Sequence, residues 1–425
     1  MKNNITNQMD EYMKKYTELW AFSGAIAAIK DGEVIFEKAY GYANVEHQVK
    51  NTLETKFRIY SITKQFTAVA ILLLEERGLL KISDSVKKHF PDWNELDERI
   101  TIHQLLTHTS GLPNYSGNES WNKNRGQNVI ATRKDLIEFV NTKPLDFDPG
   151  TSWDYCNTGY FILEMLIEIL SGISYTEFLI SNIFLPIGMH DTGVVNDFKL
   201  VKNQASGYYL DGYDLSPCEY VNMNVISGSG GIYSAVGDML LWDQALHGDG
   251  LLSRASIDKM NTIYKNENGS GEDYGYGVEI IVDGDKKIVW HNGGYRGFYP
   301  ALYRHIDDDF AIVILTNYQF TATDKLCREL AKVALGKEYE IPTKPPVFNL
   351  SPETIESYMG FYGDEDDSVE MFQVEDAFYL LENGKFRLPI YPINENTFHH
   401  TWIDEQYEVD KEEDGSLSIW GCKKK

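Results

Sequence analysis

Ser61-Ile62-Thr63-Lys64 opens the stretch on which the reading turns, and Gln65-Phe-Thr-Ala-Val-Ala-Ile-Leu-Leu-Leu-Glu-Glu-Arg77 continues it. Ile62, Phe66, Val69, Ala70 and Leu73 follow the period of a helix, and Gly78 suits its end. Residues three apart on a helix share a face, so the Ser61 hydroxyl and the Lys64 amine can meet at the helix start. A serine alcohol is a weak nucleophile until a neighbour takes its proton. Lys64 can take it only if burial or nearby charge lowers its pKa. The helix N-terminus adds positive potential where an oxyanion would form. Taken alone, the same four residues also fit a helix cap beside a solvated lysine, so the rest of the chain must decide.

Upstream, Gly24 to Lys30 and Glu33 to Lys38 are β-prone runs joined by Asp31-Gly32, a strong hairpin signal. The N-terminal residues Ile5, Met9, Tyr12, Met13, Tyr16, Leu19 and Trp20 fall near helical spacing. Downstream, about 81 to 203 is mostly helical, with Phe161 to Leu170 its clearest buried helix. Strand patterns return at 278–282, 287–290, 301–304 and 311–315, before a helix near 323–335. Pro342, Pro345, Pro346 and Pro352 mark a boundary. Beyond it, hairpin signals at Asn383-Gly384 and Asp414-Gly415 join alternating apolar residues. The expected fold is α+β: an antiparallel sheet flanked by helices with an inserted all-helical lobe, plus a small C-terminal all-β domain. The expected domains are 1–345, with the lobe at about 81–203, and 346–425.

The chain has 425 residues and a formal net charge of -25, which argues against a nucleic-acid surface. The N-terminus holds no apolar stretch of signal-peptide or membrane-span length. Cys156, Cys218, Cys327 and Cys422 form no CxxC pair and read as free thiols of a reducing compartment. A cytoplasmic location is expected, unless the numbering begins after a removed leader.

Two further groups carry chemistry. Tyr155-Cys156-Asn157 follows Phe147-Asp-Pro-Gly150 and precedes a helix, so Tyr155 and Asn157 can point into one cleft. There Tyr155 can shuttle a proton, and Asn157 can hold Lys64 and a substrate carbonyl. Val289-Trp290 leads into His291-Asn292-Gly293-Gly294, where two glycines after a strand let a substrate lie close to the backbone.

The order Ser-x-x-Lys, Tyr-x-Asn, His-x-Gly-Gly resembles the serine β-lactamase-like family. That family includes class C β-lactamases, penicillin-binding D-alanyl-D-alanine carboxypeptidases, D-aminopeptidases and related esterases. Phe57-Arg-Ile-Tyr60 before the first motif, Ile102-His-Gln-Leu-Leu-Thr-His-Thr-Ser-Gly-Leu112, Leu185-Pro-Ile-Gly-Met189 and Gly230-Gly-Ile-Tyr-Ser234 match family phrases, from about residue 20 to 320. The resemblance implies Ser61 as nucleophile and Lys64 as its activating partner. It implies Tyr155 as general base in acylation and proton donor to the leaving group, with Asn157 positioning substrate. The amides of Ser61 and Gly294 would form the oxyanion hole, Gly293 and His291 would line the site, and no metal or organic cofactor is expected. The expected substrates are small esters, amides, D-amino-acid peptides or β-lactams. The alternatives are a penicillin-binding protein or weak β-lactamase, and a catalytically idle sensor. The oligomeric state is open, a dimer among the options.

The third motif in β-lactamases usually begins with Lys, a permanent cation. His291 carries only part of a charge at pH 7, which puts efficient β-lactamase action in doubt. Arg296 is a weaker candidate for a carboxylate anchor. Tyr60 is bulkier than the residue usual before the nucleophile. His103 and His108 lack an HExxH arrangement, and His399-His400 is expected at the surface rather than on a metal. Gly228-Ser-Gly-Gly231 lacks the Lys-Ser/Thr of a phosphate loop and reads as a tight loop. Cleft shape is expected to depend on loops around Tyr115, Trp121 and Tyr208. The C-terminal domain would shield the cleft, limit substrate size or support dimerisation.

Overall fold

Gly24–Lys30 (β1) and Glu33–Tyr40 (β2) form the expected hairpin, and Asp31 and Gly32 take the positive φ values, 51° and 73°, of its two-residue turn. The structure is a computed structural model, and it describes residues 2–117, 132–196, 198–219, 223, 226–248, 250–266, 269, 271–364, 368–384, 386–412 and 414–425. Trp121 lies outside the described residues.

Four later strands complete the sheet: Glu279–Asp283 (β3), Lys286–Asn292 (β4), Ala301–His305 (β5) and Phe310–Thr316 (β6). Their order is β3-β4-β5-β6-β1-β2, with every pairing antiparallel. Period-two alternation divides β1 between two cores. Ile26 and Ala28 join Met9, Tyr12, Met13 and Tyr16 of the N-terminal helix (Lys2–Leu19) and Leu326 and Leu330 of the helix Thr323–Ala334. Ala25, Ala27 and Ile29 face the other core, which contains Phe66 and Val69 of the helix Thr63–Glu76 and Phe161 and Ile162 of the helix Asn157–Ser171. With helices on both faces, the sheet needs small and branched residues rather than polar ones on either side.

The segment from 81 to 203 carries the helices Ile102–Leu106, Arg133–Thr142, Asn157–Ser171 and Tyr175–Leu179. It ends in a short strand, Gly193–Val194, paired with Ile232–Ser234, which in turn pairs with Phe57–Arg58 just ahead of Ser61. The nucleophile candidate is thus fastened to both lobes. Gly228 to Gly231 is not the expected loop: Ser227–Gly230 is one helical turn. A Cβ at Gly228 would lie 2.7 Å from Glu164 Cβ and from Tyr160 O, so glycine lets this turn sit directly on the helix Asn157–Ser171.

Residues 337–351 form no helix or strand. Past them, six antiparallel strands from Gly360 to Glu408 follow one another in chain order, with a three-stranded sheet beside them. Their core is built on Tyr362, Leu380, Ile390 and Phe398. This part docks just past the N-terminal helix and on the hairpin Tyr208–Pro217. Ala21 donates to Trp402 O at 2.7 Å, and Arg387 pairs with Asp211 at 3.0 Å. His399 and His400, expected at the surface, are 1% and 0% exposed. His399 stacks on Trp20 with centroids 4.7 Å apart, because its strand, Thr397–His400, is covered on both faces.

Candidate active site

Ser61 sits in a single 3₁₀ turn, Tyr60–Ile62, that runs straight into the helix Thr63–Glu76. Tyr60 has φ +41°, the left-handed region that bulky residues avoid. Such strain costs on the order of 1–3 kcal/mol and persists where packing over-determines it. Here the Tyr60 ring is held against Tyr295 and Phe298, at 5.8 and 6.2 Å. Gly293 presses on the same turn: a Cβ there would lie 2.4 Å from Ile59 O and 3.0 Å from Ser61 N. Only glycine at 293 lets the strand lie beside the nucleophile.

Lys64 is fully buried, and its Nζ lies 3.3 Å from Ser61 Oγ. It donates to Asn157 Oδ1 at 2.7 Å and to Ser229 O at 3.0 Å. All three acceptors are uncharged, and no carboxylate pairs with Lys64 among the described residues. Burial without a counter-charge pulls its pKa well below the usual lysine value, which favours the neutral amine.

Lys64 Nζ also lies 4.6 Å from the centre of the Tyr155 ring. The Tyr155 hydroxyl is buried and, among the described residues, has no hydrogen bond of good geometry. Burial raises its pKa; Ser61 opposes this, but the phenol remains above its ordinary range. The three groups taken from distant parts of the chain therefore converge. Asn157 ties Lys64 to Ser116, since its Nδ2 donates to Ser116 Oγ at 2.8 Å while its Oδ1 accepts from Lys64.

His291 lies at the inner wall, 2% exposed, and both ring nitrogens are occupied. Nδ1 donates to Asn292 O at 2.6 Å, so Nε2 accepts from the Tyr274 hydroxyl at 3.0 Å. Burial, then the nearby Lys64, push its pKa to about 3, so the ring is neutral. Arg296, the other candidate anchor, is ion-paired with Glu219. The Gly293 amide is committed to Pro300 O at 2.9 Å, whereas Gly294 borders the Tyr299 ring.

Several contributors escaped sequence reading. Ser229 supplies a carbonyl to Lys64 from the turn read as a plain loop, and its hydroxyl lies 3.2 Å from that of the buried Tyr115. Asn114 Nδ2 donates to Tyr155 O at 2.9 Å. Tyr274 occupies His291 Nε2. Ser229 and Asn114 adjoin family phrases, which name no atom, and Tyr274 adjoins none. Tyr208 is buried against Tyr318, and its hydroxyl donates to Glu46.

The arrangement pairs an alcohol with a deprotonatable amine and a protonated phenol, the elements of acyl transfer through a covalent intermediate. Comparison with known proteins agrees. Residues 4–335 match the Beta-lactamase family model. Penicillin-binding protein 4* of Bacillus subtilis (strain 168) is 29% identical, over 99% of this chain and 97% of its own. A D-aminopeptidase of Brucella anthropi is 27% identical, over 74% of this chain and 59% of its own. The octameric penicillin-binding protein homologue from Pyrococcus abyssi superposes with a TM-score of 0.71 at 26% identity, covering 98% of this chain and 99% of that one. The chain belongs to the Beta-lactamase family and is a serine hydrolase.

Proposed function

We propose that the protein hydrolyses small esters or amides through an acyl-enzyme on Ser61, with Lys64 as the base and Tyr155 as the proton donor. The observation that carries this reading is the Lys64 amine, buried among neutral oxygens 3.3 Å from Ser61 Oγ. Ser61 Oγ attacks the carbonyl carbon as its proton passes to Lys64, and the amides of Ser61 and Gly294 take the oxyanion. The Tyr155 phenol then protonates the leaving group, regaining a proton from Lys64. Water repeats the sequence to release the acid. The opposite pKa shifts of Lys64 and Tyr155 support this division of labour over a resting phenolate base. Residues 1–345 would form the hydrolase unit and 346–425 an appendage beside it.

The substrate's acyl half would be neutral or cationic rather than anionic. His291 is neutral and Arg296 is paired, so neither is available to a carboxylate. Beside Tyr155 a cleft of about 660 Å³ is walled by Trp153, Tyr274 and Trp290 and carries Glu272 and Glu279. Burial, then the charges of Asp324 and Glu272, push the Glu279 carboxyl up to about 7. This disfavours the carboxylate-bearing β-lactam of the penicillin-binding alternative, which the names of several relatives support. The cysteines form no disulfide among the described residues, which supports a reducing compartment.

The test is intact-mass analysis after exposure to a fluorophosphonate, a penicillin and p-nitrophenyl esters, with Ser61→Ala as control. Adducts lost in Ser61→Ala, with ester turnover, are the expected result. A stable penicillin adduct without ester turnover would replace this reading with that of a binding protein. For charge, alanine p-nitroanilide should be cleaved faster than its N-succinyl derivative, and Glu279→Gln should narrow that gap. Equal rates on the two amides would remove the charge preference.

A further inference from the structure

His108 has no step in the scheme above, yet it lies against the phenol that does. It is 1% exposed, and its ring centroid is 4.4 Å from that of Tyr155. The amides on either side of Tyr155 both end on this one residue. Asp154 N donates to His108 O at 3.0 Å, and Cys156 N donates to His108 Nδ1 at 3.0 Å. To offer carbonyl and ring to the same passing segment, His108 adopts φ +61°, a left-handed conformation that few non-glycine residues enter cheaply.

We propose that His108 is the positioning residue for Tyr155: a neutral clamp that fixes the phenol's backbone and packs against its ring. The proposal rests on Tyr155 being the proton carrier. Because Nδ1 accepts a backbone N–H, the ring proton sits on Nε2. That nitrogen is buried without an acceptor among the described residues, beside the rings of Trp153, Tyr160 and Tyr274. A buried donor left unmet is tolerated only where its site demands the residue for another reason, and the two amides supply one. Protonating Nδ1 would break the Cys156 bond and add a cation near Lys64; burial, then Lys64 and His291, hold the ring neutral. Asn114 grips the Tyr155 carbonyl, so the phenol's backbone is held at three successive residues.

The test compares His108→Asn with His108→Leu, using p-nitrophenyl acetate turnover, the pH profile and thermal melting. Asn tolerates the left-handed backbone and presents an oxygen to Cys156 N–H. Leu fills similar space but resists that backbone and accepts nothing. His108→Asn should fold, keep kcat within about tenfold of the parent and leave KM unchanged. A phenol misplaced by about an ångström costs on the order of a hundredfold, so folded His108→Leu should lose that much kcat. Its alkaline limb should also move to lower pH as water reaches the phenol. Equal kcat and equal pH profiles in the two variants, or a hundredfold loss in folded His108→Asn, would overturn the proposal. Tyr155→Phe separates the two readings: if it retains full activity, the assigned role of Tyr155 fails, whatever His108 does. If it is inactive while His108→Leu turns over normally, only the clamp fails.

Discussion

Two fully buried cations share this core, and their surroundings are opposite. Arg304 lies in β5, its Nε 2.6 Å from Asp243 Oδ1, with both side chains almost completely buried. Burial alone would raise the Asp243 pKa, but the charge of Arg304 and the contact with His247 hold it below the usual range. Lys64 meets an amide oxygen, a backbone carbonyl and a hydroxyl, with no carboxylate. An ion pair preserves charge in a low-dielectric interior, whereas a cage of neutral oxygens leaves the amine inclined to give its proton up. The first arrangement fastens the helix Val236–Ala245 to the sheet. The second makes a base.

The comparison breaks most sharply at Lys64→Arg. A guanidinium does not deprotonate at neutral pH, so single-turnover acylation of Ser61 should fall by about 10⁴-fold or more, as when one member of a catalytic unit is removed. Retained turnover in that variant would remove Lys64 from the base role. At the other cation, Arg304→Met should lower stability by about 3–5 kcal/mol, because Asp243 is left charged and buried. Denaturant titration reads that loss, while kcat per folded molecule should hold. A large kcat loss with unchanged stability would mean that the two sites are not separate.

Giving Lys64 the partner Arg304 has sharpens the contrast further. In Asn157→Asp the new carboxylate sits where Oδ1 now accepts from Lys64 and should raise the lysine pKa by about 1–3 units. The acid limb of kcat/KM, which reports the neutral amine, should move to higher pH by a similar amount. An unmoved limb would show that another group controls it. The smallest effect is on stability. Between its lowered folded pKa and the ordinary lysine value, the unfolded chain binds the extra proton, so Lys64 makes stability rise with pH. Lys64→Met should flatten that rise and increase the melting temperature at pH 7. A lower melting temperature would mean that the neutral cage stabilises the fold more than burial of the amine destabilises it.

Much of this was legible in the chain. The hairpin at Asp31-Gly32, the helix after Ser61 and the strands of the sheet announce themselves because period and turn chemistry are local properties. Gly228 to Gly231 misled, since glycines read as a loop, although Gly228 is needed for a helical turn to rest on Glu164 and Tyr160. His399 misled for a related reason: Trp20, far off in sequence, covers it, whereas His400 packs near Tyr407 within the C-terminal part itself.

The sequence by itself determined which chemical groups exist and in what order: an alcohol three residues before an amine, a phenol two before an amide, a histidine ahead of paired glycines. Only the tertiary structure decided their states. The oxygens that hold Lys64 come from 93 and 165 residues away, and the tyrosine that occupies His291 comes from another strand connection. A protonation state depends on everything within a few ångströms, and in a folded chain most of that is remote in sequence.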